Sequence, residues 1–296
     1  MVEADVPMTP RPSGASHDTL ATRVAAGAAR GHDVTFVSGD VHVTVPWSDV
    51  HDEATAMAAA MQQRGIRPGD HVALLGPTTR SLVTGIQAVW LAGATIVVLP
   101  LPMRMGSLDE FIAQTRQRIL DADVSLVVAD PDLAAFVTPE PGDPPLVVFD
   151  ELVTDAPFDS PDPDPGANAI LQFTSGSTSD PKGVVLPHRA VCANLDAIAE
   201  AAELAIDDDV LVSWLPLYHD MGLVGILSLA MTTGTRMVLG APQDFLASPA
   251  RWMQWMSRYG GTATAGPNFS YVLATRALRR AAREGEQLDL SKLRVV

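Results

Sequence analysis

The stretch Thr174-Ser175-Gly176-Ser177-Thr178-Ser179-Asp180-Pro181-Lys182-Gly183 follows the apolar run Leu171-Gln172-Phe173 and is built from hydroxyls, glycines and one lysine. Small residues let backbone N–H groups converge on an anion. The hydroxyls of Thr174, Ser175, Ser177 and Thr178 offer donors or a metal ligand, and Lys182 supplies a positive charge. The chemistry is that of a phosphate cradle whose natural guest is a nucleoside triphosphate. Spacing excludes the Walker form, which needs Gly-Lys-Ser/Thr four residues after its first glycine: here Pro181 stands where the second glycine belongs and Gly183 where the hydroxyl belongs. A nucleophile elbow, G-x-S-x-G, is absent too. A plain surface turn between two strands is the alternative, and the Pro-Lys-Gly ending argues against it.

A second block, Trp214-Leu215-Pro216-Leu217-Tyr218-His219-Asp220-Met221-Gly222-Leu223, places His219 in a loop after a strand, where its side chain can face a cleft. A lone histidine is more often a hydrogen-bonded core residue, but the flanking Pro216-Leu217-Tyr218 and Met221-Gly222 favour a functional place. Asp220 either orients the imidazole or caps the following helix. His188 reads as structural.

Together these blocks resemble the adenylate-forming superfamily of acyl-CoA synthetases, luciferases and nonribosomal adenylation domains. The Pro-Leu-Tyr-His-Asp-Met-Gly-Leu wording is most like the fatty acyl-AMP ligases. Trp90-Leu91-Ala92-Gly93-Ala94 with Leu99-Pro100-Leu101-Pro102, and Gly266-Pro267-Asn268-Phe269-Ser270-Tyr271, extend the similarity over residues 35 to 296. The resemblance implies that ATP activates a fatty acid to an acyl-adenylate with release of pyrophosphate, for transfer to an acyl carrier protein or coenzyme A. It implies that Thr174, Ser175, Gly176, Ser177, Thr178, Ser179, Lys182 and Gly183 wrap the β- and γ-phosphates, with Ser177 first and Thr178 second as neighbours of Mg²⁺. Lys182 and His219 become the catalytic pair, His219 beside the reacting carboxylate. Gly222, Leu223, Met231, Gly266, Pro267, Asn268 and Phe269 become walls of an acyl tunnel, although apolar residues there are as often plain core.

The resemblance also implies an N-terminal domain of two α/β subdomains, layered αβαβα with mainly parallel sheets. The glutamate loop, ribose aspartate, hinge and small C-terminal domain of the family are not found. Tyr259-Gly260-Gly261-Thr262-Ala263 mimics the opening of the glutamate loop but has Ala263 where the acid should be, and Leu288 to Val296 looks like the strand leading into the true one. The chain is therefore expected to bind ATP weakly and catalyse little by itself. The other readings are a noncatalytic acyl- or nucleotide-binding module, half of a split enzyme, and, weakest, a kinase, for which no Asp/Asn magnesium set accompanies the loop.

Composition suits such a body. A chain of 296 residues, 47% hydrophobic, can bury a large core. Its net charge of −15 argues against a nucleic-acid partner. The single cysteine, Cys192, excludes an internal disulfide and fits a reducing cytoplasm and a buried small hydrophobe. No run is apolar enough for membrane insertion, and 1–18 reads as a disordered lead-in.

The elements that must position these residues alternate between strand and helix. Asp33–Phe36 and Val41–Val45 read as a hairpin, and Ser48 as the N-cap of a helix with Val50, Ala54, Met57, Ala58 and Met61 on one face, closed by Gly65. Strands follow at 72–75, 95–99 and 124–128, with helices through Ile86 and Val89 and over 108–120. An aspartate-proline linker at about 154–168 divides a first subdomain, 19–160, from a second, 161–296. The second holds strands at 184–186, 210–214 and 237–239, helices over 190–204 and after Gly222, and one capped by Ser248 with Pro249 at its first position. Such alternation implies parallel strands with crossover helices.

Overall fold

The computed structural model describes residues 18–101, 108–137, 139–173, 182–285 and 287–296. Of the lead-in only Asp18 is included, its carboxylate 2.6 Å from the Arg23 guanidinium. The elements run α1 (Leu20–Ala28), β1 (Asp33–Ser38), β2 (Val41–Pro46), α2 (Trp47–Gln63), β3 (His71–Leu75), α3 (Arg80–Leu91), β4 (Thr95–Val98), α4 (Leu108–Asp121) and β5 (Val124–Ala129). After α5 (Pro131–Ala134), β6 (Leu146–Val148) and a long coil come β7 (Asn168–Phe173), β8 (Gly183–Pro187), α6 (His188–Ala201) and β9 (Val210–Ser213). A π-helical segment, Met221–Ser228, leads into α7 (Leu229–Thr233), then β10 (Arg236–Gly240), α8 (Pro242–Ala247), α9 (Ala250–Tyr259) and α10 (Asn268–Arg283).

The strands form two sheets, β6-β5-β3-β4-β7-β8 and β2-β1-β10-β9. Pairing is parallel except for two antiparallel hairpins, β1/β2 and β7/β8. In the six-stranded sheet the two-residue alternation of strand side chains is explicit: Val72, Leu74, Ile96 and Val98 enter one core, and Ala73, Leu75, Val97 and Leu99 the other. The second core is closed by Ile119 on α4. The first is shared with α1, α2, α3, α6 and α7 and with the four-stranded sheet, whose far side carries Trp252 and Trp255 of α9. This is the αβαβα layering expected from the resemblance.

The division at about 160 does not follow the sheets. Hairpin β1/β2 joins β10 and β9 through a parallel register from Val34–Met237 to Val37–Gly240, while β7 joins β4 at Ile96–Ile170. Each expected subdomain thus lends a hairpin to the other's sheet. The cause is hydrogen bonding: the outer edges of β4 and β10 would carry unpaired donors and acceptors without them.

Two expected caps shift. Helix α2 starts at Trp47, because its buried indole donates to the Thr235 carbonyl at 2.9 Å; Ser48 lies inside the first turn. Ser248 ends α8, its N–H donating to Asp244 O at 3.1 Å, and Pro249 takes the N-cap position of α9. Cys192 is buried as expected, and burial pushes its thiol up to about 11.

Residues 262–264 extend the four-stranded sheet by a bridge from Leu211 to Ala263 and another from Ala263 to Val295. At this edge Asp209, its side chain 2% exposed, pairs with Arg294 and accepts from the Thr262 hydroxyl at 2.7 Å and the Ala205 N–H at 2.7 Å. Burial opposes its charge, but these partners hold the carboxyl below the usual carboxylate value. A depressed acid stabilises the fold above its unfolded pKa, near 3.8, and loses that contribution as pH falls below it. Arg294→Ala should lower unfolding free energy by about 2 kcal/mol at pH 7, less than for a fully enclosed pair because water can reach the vacated place. Urea titration at pH 7 checks this, and an unchanged midpoint refutes it.

Candidate functional site

The phosphate motif sits on the β7/β8 hairpin. Phe173 and Gly183 are cross-strand partners, so both described ends of the motif meet at the C-terminal end of β7. Lys182 is exposed at the start of β8, and a Cβ on Gly183 would lie 3.4 Å from a Leu171 methyl. Thr174, Ser175, Gly176, Ser177, Thr178 and Ser179 lie outside the described residues, and with them both expected magnesium neighbours. Among the described residues no cluster of three His, Cys, Asp or Glu could hold a metal ion.

The histidine motif is built by a chain reversal after β9. The Ser213 hydroxyl accepts from the Leu215 N–H at 3.1 Å, and Trp214 stacks on Phe245 with ring centroids 3.8 Å apart. The Pro216 carbonyl accepts from the His219 N–H at 3.3 Å, and His219 O from the Leu223 N–H at 2.9 Å. Leu215 and Leu217 point inward, leaving Tyr218 half-buried and His219 exposed, ring centroids 5.1 Å apart. Burial pushes the Tyr218 hydroxyl up. The Asp220 carboxylate accepts from the Met221 N–H at 2.8 Å, the capping alternative for that residue.

Gly222 is required by proximity: a Cβ there would stand 2.4 Å from the Pro216 carbonyl oxygen. The π-helical turns that follow place Ser228 Oγ 2.8 Å from Leu223 O.

The two motifs are tied together. The Gln172 side-chain amide, one residue before the end of β7, donates to the Tyr218 carbonyl at 2.8 Å. Any shift of the histidine loop is therefore felt at the root of the phosphate loop. The sequence offered no signal for this bond, since the two residues are 46 apart.

A cleft of about 520 Å³ opens beside His219. Pro100 and Leu101 line it from beyond β4, Trp214, Pro216 and Tyr218 from beyond β9, and Pro267 and Phe269 from the start of α10. It thus lies outside the carboxyl ends of strands of both sheets, where open α/β sheets receive ligands. Of the expected tunnel residues, Gly222, Pro267 and Phe269 border it. Leu223 and Met231 do not: Leu223 is core, and Met231 faces α3, its sulfur 3.4 Å from the Gln87 amide. Gly266 is pressed under Trp252 and Asn268 is exposed at the helix start, neither on the wall.

A second cleft, about 540 Å³, lies at the opposite ends of β3 and β4, between Trp90, the coil residues Phe158 to Asp164 and His188; it is lined by Trp90, Leu91 and Gly93 but by no residue of the phosphate or histidine motif. His188 is structural there: buried, its Nδ1 accepts from the Leu20 N–H at 3.1 Å. The Tyr259–Ala263 stretch is excluded from the site by its place on the far side of β9, with the Tyr259 hydroxyl 2.5 Å from His42 Nδ1.

Comparison with known proteins gives the family and the fold. The sequence profile described as AMP-binding enzyme matches residues 24–296. A ligase of Mycobacterium tuberculosis is 36% identical over 273 residues, covering 90% of this chain and 49% of its own. The long-chain-fatty-acid–AMP ligase FadD23 of the same species is 31% identical over 268 residues, covering 88% and 45%. A crystal structure of the fatty acyl-adenylate ligase of Legionella pneumophila, in complex with acyl adenylate and pyrophosphate, superposes with a TM-score of 0.83 at 28% identity, covering 93% of this chain and 48% of that one. The chain spans about half the length of the curated relatives it matches.

Proposed function

This chain belongs to the AMP-binding enzyme family, and from that premise we propose that its cleft serves the activation of a fatty carboxylic acid by ATP, giving acyl-adenylate and pyrophosphate for transfer to an acyl carrier protein or coenzyme A. The observation that carries this is the joining of the two motifs by Gln172 and Tyr218 at the mouth of an apolar cleft that exposes His219. The fatty acyl-AMP ligases among the relatives and the acyl adenylate bound to the Legionella enzyme support it.

In this reading a carboxylate oxygen attacks the α-phosphorus of ATP. A new O–P bond forms, the bond to the bridging oxygen breaks, and its electron pair leaves with pyrophosphate. Two anions must be brought together, so the protein's task is charge neutralisation and alignment. Thr174 to Gly183 hold the terminal phosphates, Lys182 offsets their charge, and His219 lies beside the carboxylate. The apolar walls at Leu101, Trp214 and Phe269 receive the acyl chain. Ser177 or Thr178 would hold Mg²⁺, which when bound neutralises phosphate oxygens.

The test is calorimetric titration with nonhydrolysable acyl-sulfamoyl adenosines of increasing chain length. Affinity should rise with chain length, as each buried methylene contributes about 0.8 kcal/mol. His219→Ala should weaken that binding about tenfold or more, and Lys182→Ala should weaken binding of ATP, whose terminal phosphates the analogue lacks, by a similar factor. Affinity indifferent to the acyl chain and to both substitutions would remove the proposal.

A further inference from the structure

Helix α10 carries an outward face whose charge runs against that of the whole molecule. The chain has 35 Asp and Glu against 20 Lys and Arg, yet the helix contains no acid and four arginines, Arg276, Arg279, Arg280 and Arg283. At 100° per residue these four fall with Phe269 and Val272 inside an arc of about 100°. All six are exposed, Phe269 and Val272 by 53% and 50%. The opposite face is anchored by Ser270 and Ala274, and by Tyr271 against Trp252, ring centroids 5.0 Å apart. Attraction of cations to the helix C-terminus accounts for Arg280 and Arg283, which lie in the last turn, but not for Arg276 and Arg279. Arg280 reaches Glu284 at 3.1 Å in a pair exposed on both sides; no ion pair involves the other three among the described residues. Phe269 lines the cleft, and a rise of 1.5 Å per residue sets the arginines about 10 to 21 Å from it along the helix.

We propose that this face of α10 is the docking surface for a small acidic protein domain that brings the acyl acceptor to the cleft, Phe269 and Val272 forming the apolar end of the contact and the arginines the charged end. The proposal rests on the reading of the cleft given above and assigns the carrier-protein acceptor to it. Charge selects the partner: arginine forks pair with carboxylates on a compact surface. An extended anionic bilayer would meet a chain whose overall net charge is −15, and two apolar residues give little to insert.

The experiment measures binding of this chain to the thiol-bearing acyl carrier protein of bacterial fatty acid synthesis, by fluorescence anisotropy at low and high salt. Expected is binding that weakens as salt rises, falls about tenfold or more in the triple variant Arg276→Glu/Arg279→Glu/Arg283→Glu, falls less in the triple Arg→Gln variant, and is unaltered in Arg30→Glu on α1's flank. Unchanged affinity for the acyl-sulfamoyl adenosine shows that the variants are folded. No binding by the wild-type chain at low salt, or binding indifferent to the arginines, overturns the proposal. So does arginine-dependent binding to phosphatidylglycerol vesicles without binding to the carrier protein. Failure to bind the adenylate analogue alongside arginine-dependent carrier binding would remove the cleft reading and leave the docking surface standing.

Discussion

Lowering the pH from 6.5 to 4 should remove about 3 kcal/mol of stability through one side chain, His188. Burial holds its folded pKa down at about 4, against an ordinary 6.5, although Asp164 pulls the other way. The neutral ring is the one that fits, because Nδ1 must keep its lone pair for the Leu20 N–H. Between these two values the unfolded chain holds a proton that the folded chain lacks. Stability is therefore complete above about 6.5 and declines as the pH falls towards about 4, at roughly 1.4 kcal/mol per unit. About 2 kcal/mol should be gone by pH 5, before the bulk of the carboxylates titrate. His188→Gln keeps an acceptor for Leu20 without a titrating group, so its stability should be flatter over the same interval. Urea denaturation at pH 7 and pH 5 for both proteins decides the matter. Equal losses in both would show that another group is responsible.

Gly222→Val should destabilise the fold by about 3 kcal/mol or more and abolish binding of the acyl-sulfamoyl adenosine. The added Cβ would stand 2.4 Å from the Pro216 carbonyl oxygen and 3.1 Å from the Leu215 side chain. Backbone cannot rotate aside as a side chain can, so the Pro216–Asp220 reversal must move. That movement displaces His219 and strains the Gln172–Tyr218 bond. Gly225, three residues on in the same helical segment, has nothing within 4 Å of its Cβ position. Gly225→Ala should be neutral or gain about 0.5 to 1 kcal/mol. Thermal melts and calorimetry on the two variants separate a steric requirement from a general loss of glycine flexibility; equal damage from both would refute it.

The local features of the fold were legible in the sequence. The hairpin of 33–36 and 41–45, the buried stripe of α2 and the strands at 72–75 and 95–99 depend on neighbouring residues, and the structure reproduces them. Helices α1 and α10 carry weaker sequence marks: Thr19 with Thr22, and Leu20, Val24 and Ala28 at four-residue spacing, mark the first. The basic repeat of α10 marks the second. The sheet partners of β1 and β7 are tertiary facts, decided by which edges lack hydrogen-bond partners. The apolar character of Leu223 and Met231 suits a ligand wall and a core equally. Only the packing of Met231 against Gln87 distinguishes them.

The exchange of hairpins between the sheets bears on how the polypeptide is born. When the ribosome has released β1 and β2, their partner β10 is still some 200 residues away, and the edge of β4 waits for a strand beyond the aspartate-proline coil. Native closure of either layer is thus postponed until both stretches have emerged. A cut within that coil would release two pieces, each missing a strand pair it needs, so the nicked halves should stay clasped to one another or precipitate.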